Sequence, residues 1–463
     1  MEVDSQEIKL ALQQNGVEYV KVAITDLDGV LRGKYMHVDK FLKSIESGYG
    51  FCDVIFGWDS SDALYEFKVS DEQNLFTGWH TGFPDQTVKI LLDSKRTIPF
   101  EKNTPFFLSE LKDGEVCPRT VLKKVLKLLR ESGLKGKSAL EYEFFLFNES
   151  PISVRDKGFK NLSSFTPGMF GYSLLRSSVH SDLYQEILKM SSVMDFPLEG
   201  LHTETGPGVL EAAIGVDEVL NSGDKAVLFK TFMKVLAQRK NLMATFMAKW
   251  SEKYPGQSGH IHCSLVDLEN KPVFWNEGGG GMSELMINFL GGLQKYSREF
   301  MAMIAPTTNS YKRLCVGAWA PINMTWAKEN RTTGFRVIEG SPDSQRIENR
   351  LAGADANPYL ALAATFAAGF LGIKERLQPT EPTTGEAYTM KTEEAYKVPN
   401  TLLEAAELFK NSQAARSVWG DQFVDHFSAS RIWEYEQFLK NKPLFEKEQT
   451  ISSWELERYF EII

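Results

Sequence analysis

Cysteine is sparse in these 463 residues: Cys52, Cys117, Cys263 and Cys315 stand far apart, and no CxxC pair occurs. That spacing excludes a disulfide scaffold and fits a reducing compartment. Long apolar runs are missing as well. No stretch approaches the roughly 18–20 apolar residues that a membrane-spanning helix needs. The opening MEVDSQEIKLALQQNG has neither the basic segment nor the apolar core of a secretory leader. A cytoplasmic protein without membrane contact is expected. Basic excess is absent too, since 52 Lys and Arg against 61 Asp and Glu give a formal charge of -9. Nucleic acid is therefore not an expected partner, and any bound anion has to be held by a local cationic site. A P-loop is also lacking: Gly136-Lys137-Ser138 imitates its end, but Glu131 occupies the position of its first glycine.

What is present begins with length, because one hydrophobic core usually stops growing near ~250–300 residues. Two units are expected. Val20–Ile24, a turn at Leu27-Asp28-Gly29 and a return through Gly33–Val38 predict a hairpin in a small β-rich first domain, residues 1–97. The proline-containing Thr97–Pro105 stretch reads as a boundary, and the second domain, 98–463, opens with a periodic amphipathic helix over Thr120–Glu131. Further on, Asn357 caps and Pro358 starts an Ala-rich helix to about Ile373. Ser452 with Glu455 is a capping-box pattern for the last helix.

The chemistry is carried by charged residues set among strand formers. Arg313, Arg331, Arg336, Arg346 and Arg350 are interleaved with Val, Ile, Trp and Phe, so they predict a cationic floor built on strands. Arg346, Glu348 and Arg350 would share one strand face; a surface ladder of ion pairs is the plainer reading of that triplet. In Ser138–Phe147, Glu141 and Glu143 also share a face, and two neighbouring carboxylates on a buried strand require a cation or a shared proton. A Gly206-Pro207-Gly208 turn separates Glu204 from Glu211, so a hairpin would bring these two together. His260, His262 and Ser264 alternate on a fourth segment. Hard oxygen donors with one or two imidazoles suit Mg²⁺ or Mn²⁺. Cations beside arginines fit phosphoryl transfer from ATP, although a two-metal nuclease or phosphatase could use the same groups.

These motifs, in this order, resemble the type I glutamine synthetase family: Glu141-Tyr-Glu-Phe-Phe145, the Glu204–Glu211 block, Ser258-Gly-His-Ile-His-Cys-Ser-Leu265, Asn309-Ser-Tyr-Lys-Arg-Leu314, Asn330-Arg331 with Arg336, and Arg346-Ile-Glu-Asn-Arg350 followed by Ala356-Asn-Pro-Tyr-Leu360. The resemblance implies an α+β fold, with a β-grasp-like first domain and a larger catalytic domain whose curved antiparallel sheet is flanked by helices. It implies a dodecameric homo-oligomer of two stacked rings, with active sites between subunits. By the same resemblance, Glu143, Glu204 and Glu211 would bind one cation, and Glu141, His260 and Glu348 the other. Arg336 and Arg346 would contact phosphates, Arg331 the transferred group, and His262 and Ser264 the nucleotide. Arg313 and Arg350 would hold substrate carboxylates, Gly256 stands where an Asn-Gly pair contacts the amino acid, and Asp53 would be lent by a neighbouring subunit.

The implied activity joins the γ-carboxylate of glutamate to an amine through a γ-glutamyl phosphate. True glutamine synthetases place a glutamate for ammonium in a Gly-Tyr-Glu-Ala-Pro stretch, whereas this chain has Gly317-Ala-Trp-Ala-Pro321. Trp319 cannot take a proton, and its face suits an alkyl or aromatic amine, as in the family's γ-glutamyl-amine ligases. Glutamine synthesis from ammonia, and a non-catalytic scaffold on the same fold, are the alternatives. The Asn-Leu-Tyr segment adenylylated in regulated bacterial members is absent; Gly385-Glu-Ala-Tyr388 stands there.

Overall fold

The computed structural model describes residues 5–67, 75–278, 280–441 and 450–463. Two sheets organise the described residues. The first has six strands in the order β2-β1-β6-β4-β3 with β5 beside β6: β1 (Tyr19–Thr25), β2 (Leu31–His37), β3 (Tyr49–Cys52), β4 (Asp85–Ile90), β5 (Arg96–Thr97) and β6 (Pro105–Leu111). The expected β1–β2 hairpin is present. Its tip is shaped by the Asp26 carboxylate, which accepts from the N–H groups of Asp28 at 3.0 Å and Val30 at 2.9 Å, and by Gly29 at φ +83°. β6 pairs in parallel with β1. The first sheet therefore draws on residues beyond 97, because pairing between distant segments, and not the proline-containing stretch, decides where it ends.

The second sheet is larger and curled, with nine strands in the order β13-β14-β15-β12-β7-β9-β8 and with β10 and β11 beside β7. Its members are β7 (Leu134–Phe147), β8 (Leu198–Thr203), β9 (Val209–Ile214), β10 (Asp217–Glu218), β11 (Met243–Thr245), β12 (Gly259–Asp267), β13 (Trp326–Lys328), β14 (Phe335–Ile338) and β15 (Arg346–Asn349). All neighbours run antiparallel except β13 beside β14. β7 alternates strictly between buried and half-buried residues from Leu134 to Glu143. Its inner face carries Tyr142 and Phe144, which meet Phe229 and Phe246 at ring separations of 5.2–6.1 Å. The other face is left free to carry charge.

Helices cover the inner face. Those at Pro118–Glu131 and Val219–Arg239 pack on β7, and the Ala-rich helix Pro358–Glu375 packs on both and on Glu284–Tyr296. The cap read from the sequence is present, since Asn357 accepts from the Tyr359 N–H at 3.0 Å. The same side chain donates to the carbonyls of Asp26 and Leu27 at 3.0 and 3.1 Å, tying the first hairpin to the second unit. A buried Asp28–Arg431 ion pair at 2.8 Å adds to that tie. The capping box at Ser452 and Glu455 also forms and starts the helix Ser453–Tyr459.

Candidate active site

The charged residues converge because strand register sets them opposite one another. On β7, Glu143 lies across from Glu211 of β9, and Glu141 from His260 of β12. Glu211 in turn faces His202 of β8. Glu348 of β15 faces His262 on one side and Arg336 of β14 on the other. The β8–β9 turn needs its glycines. Gly208 sits at φ +77°, and a Cβ there would come within 2.5 Å of the Leu146 carbonyl oxygen. Above this face opens a cavity of about 670 Å³, lined among others by Glu141, Glu143, Glu204, Glu211, His260, Glu348, Arg313, Arg331, Arg336, Arg350, Gly256 and Trp319.

A second cavity of about 230 Å³ adjoins it and shares Glu141; His262, Ser264 and Arg346 line this one. Arg346 Nε points at His262 Nδ1, 3.1 Å away. The expected residues are thus divided between two chambers, and one of them lies in neither. Asp53 follows β3 in the first sheet, is buried, and accepts from Thr77 Oγ1 at 2.7 Å and Gln86 Nε2 at 3.0 Å. Three of the five arginines also depart from the strands expected for them, Arg350 by one position, just past the end of β15. Arg313 ends a single helical turn, Ser310–Arg313, and Arg331 lies in the turn between β13 and β14. The surface-ladder reading of the triplet fails: Glu348 and Arg350 are only 2% and 4% exposed.

The buried charges constrain one another. Glu348 sits between Arg350 Nη1 at 2.5 Å and Arg336 Nη1 at 3.0 Å. Although burial opposes its ionisation, His260 and Arg350 hold its carboxyl down at about 2. Burial likewise works against Glu141, yet His260 and His262 keep it well below the usual carboxylate range. Glu143 goes the other way: burial and the Glu211 charge push it up to about 7. Burial draws Arg313 down to about 10, with its guanidinium bonded to the carbonyls of Leu351 and Arg350, each at 3.0 Å. Burial and Arg350 lower His260, against the raising effect of Glu141 and Glu348.

A divalent cation fits these donors. Oxygen or nitrogen atoms of Glu141, His262 and Glu348 lie within 4.8 Å of one another, and those of His202, Glu204 and Glu211 form a second such group. His260 Nδ1 adds to the first, 3.3 Å from Glu348 and 3.6 Å from Glu141. Glu143 adjoins the second through Glu211. The Nε2 atoms of His260 and His262 are buried without a hydrogen-bond partner, as His262 Nε2 meets Glu141 at 3.1 Å outside hydrogen-bonding angles. A like-charged pair and orphaned imidazole nitrogens in one oxygen-rich face are what a hard cation would relieve.

Sequence reasoning missed His202 and Tyr172. His202 Nε2 lies 3.4 Å from Glu211, whose carboxylate raises the imidazole against the effect of burial. Its spacing of two from Glu204 was the available signal. Tyr172 stacks on His202 with centroids 4.5 Å apart and had no such signal. Tyr172 and Trp319 both line the larger cavity, and both take left-handed backbone, φ +54° and +57°. For bulky residues that costs about 1–2 kcal/mol each. Trp319 does not pack its loop; it is 58% exposed, and its carbonyl accepts from Arg350 Nη2 at 3.3 Å.

The family model described as glutamine synthetase, catalytic domain, matches residues 115–459. Among curated proteins, the chain is 43% identical to type-1 glutamine synthetase 2 of Dictyostelium discoideum over 96% of its own length and 84% of that protein's. It is 34% identical to a glutamate–isopropylamine ligase of a Pseudomonas species, covering 98% of this chain and 97% of the relative. Among solved structures, a GmaS–ADP complex superposes with a TM-score of 0.80 over 97% of this chain and 98% of the other at 24% identity, a likeness of fold. Facing carboxylates, imidazoles and arginines on one curled sheet are thus held in a framework shared along nearly the whole chain, which belongs to the glutamine synthetase family.

Proposed function

We propose that this ATP-dependent carbon–nitrogen ligase joins the γ-carboxylate of glutamate to an amine larger than ammonia. The observation that carries the choice of amine is the exposed indole of Trp319, which lines the cleft at the position where the resemblance to glutamine synthetases would place a glutamate for ammonium. Arg313 and Arg350 hold the carboxylates of the acid, Gly256 lines its seat, and Arg331 and Arg336 face the transferred phosphoryl group. His262, Ser264 and Arg346 bind the nucleotide in the smaller chamber. Divalent cations, Mg²⁺ or Mn²⁺, would be held by Glu141, His260 and Glu348 and by Glu143, Glu204 and Glu211, and would neutralise phosphate oxygens.

In the first step a γ-carboxylate oxygen attacks the terminal phosphorus, the bond to ADP breaks, and the guanidiniums offset the charge on the moving group. In the second, the amine lone pair attacks the acyl carbon, the bond to the phosphate oxygen breaks, and the proton shed by the amine nitrogen ends on the released phosphate. Rings of subunits, with Asp53 supplied to a neighbour's cleft, complete this reading.

Glutamine synthesis from ammonia is the second reading, favoured by the name of the Dictyostelium relative. The test is ATP-dependent phosphate release with glutamate and a panel of ammonium, methylamine, ethanolamine, isopropylamine, putrescine and benzylamine. An organic amine is expected to give the highest kcat/KM. Ammonium as the best substrate overturns the choice of amine, and no turnover with any of them favours a non-catalytic scaffold.

A further inference from the structure

Arg336 lies on β14 between two carboxylates in different surroundings. On one side its Nη1 donates to Glu348 Oε2 at 3.0 Å, and both residues line the larger cavity. On the other, Nε at 3.1 Å and Nη2 both donate to Glu329 Oε2. Glu329 is not among the residues lining the cavity, and its side chain is 53% exposed against 13% for that of Arg336. Each guanidinium nitrogen thus carries one bond, and of the five N–H groups one remains on each terminal nitrogen for a ligand oxygen. Glu348 by itself would hold the group at a single nitrogen, about which it could swing. The second carboxylate closes another edge and fixes the plane.

The backbone around Glu329 keeps that carboxylate in place. β13 ends at Lys328, and Glu329 turns the chain with φ +51°. Its N–H donates at 3.0 Å to the carbonyl of Val337, the residue after Arg336. Asn330 then closes the turn, accepting from the Thr332 N–H at 2.9 Å and donating to the Gly385 carbonyl at 2.7 Å. Arg331, which lines the cavity, stands in the same turn. An exposed ion pair held only by two flexible side chains is worth little. Here the acid is fastened by its main chain to the strand that carries the base, so less freedom is lost when the pair forms.

We propose that Glu329 is a positioning residue for phosphoryl transfer: it holds the Arg336 guanidinium by the Nε–Nη2 edge and so aims the two remaining N–H groups at the oxygens of the moving phosphoryl group. The proposal rests on the ligase reading above, in which Arg336 faces that group. Donors stabilise developing charge best when they are already aimed where it appears, because reorientation at the moment of reaction gives part of the gain back. Without Glu329, Arg336 keeps only Glu348, a carboxylate it shares with Arg350.

The experiment measures kcat and the KM for ATP in the full-length enzyme by phosphate release, with glutamate and the best amine of the panel, for wild type, Glu329→Gly and Glu329→Gln. Glycine removes the carboxylate and suits the left-handed backbone, while glutamine keeps an oxygen able to accept both N–H groups. Expected for Glu329→Gly is a fall in kcat of about tenfold or more with the ATP KM changed by less than about threefold, and recovery of most of that loss in Glu329→Gln. In an Arg336→Lys background the same glycine change is expected to cost less than about twofold, because the group it positions is gone. A contact that only supported the fold would cost the same in both backgrounds. Wild-type kcat in Glu329→Gly, a raised kcat/KM for ATP in either variant, or equal losses in the two backgrounds overturns the proposal and leaves the ligase reading standing. Absence of turnover by the wild-type enzyme with every amine overturns both.

Discussion

At the scale of the residue, Glu348 is the most connected charge in the site. It faces two guanidiniums and His260, so its removal leaves Arg350 buried without a carboxylate partner and Arg336 with Glu329 alone. Glu348→Ala is expected to lower ATP-dependent phosphate release by at least a thousandfold and to cost about 3 kcal/mol of stability, read from chemical denaturation. Glu348→Gln keeps the shape and separates the two effects: activity falls, and stability is lost by less than in the alanine variant. Residues of this kind were legible in the sequence because alternation along a strand assigns faces without any knowledge of partners. Glu141 with Glu143 and His260 with His262 follow from spacing alone. Tyr172 does not, because it lies in an irregular stretch, where its N–H bonds the Thr203 carbonyl and its ring stacks on His202.

At the scale of the element, the hairpin tip and the Ala-rich helix depend on close contact. A Cβ on Gly29 would stand 3.1 Å from the Asn357 Cα, in a backbone conformation that side chains resist. Gly29→Ala is expected to destabilise the protein by about 1–3 kcal/mol and to loosen the first hairpin from the helix cap, detected as faster amide exchange at Asp28 and Val30. Local signals predicted both partners: Asn357-Pro358 wrote the helix start, and Leu27-Asp28-Gly29 wrote the turn. Their meeting, like the pairing of β6 with β1, joins segments far apart in sequence and left no local trace. The short turn that places Arg313 was hidden for another reason, since four residues carry too little periodicity to tell a helical turn from a strand.

At the scale of the molecule, the two sheets and their helices are locked together by buried polar contacts as well as by a shared core. His426, on the helix Asp421–Asn441, lies with its Nε2 2.8 Å from the Phe56 carbonyl oxygen, beside the turn that follows β3. Burial pulls this imidazole down to about 4, against the effect of that bond. The unfolded chain then binds the proton more readily. The stability contributed by neutral His426 is full above about pH 6.5 and is lost as pH falls towards the folded value, by about 3 kcal/mol in all. Urea unfolding at pH 7, 6 and 5 should show wild type losing more stability than His426→Gln, in which the amide can still donate to Phe56. Contact also runs across the cleft itself. Arg350 bonds Glu348 and the Trp319 carbonyl, so on the proposed reading one side chain would join the seat of the acid to the loop that meets the amine. An order of events would follow from that reading, with an acid that engages Arg350 fixing the Trp319 backbone before the amine arrives, and the amine's KM in initial-rate measurements is then expected to fall as glutamate concentration rises.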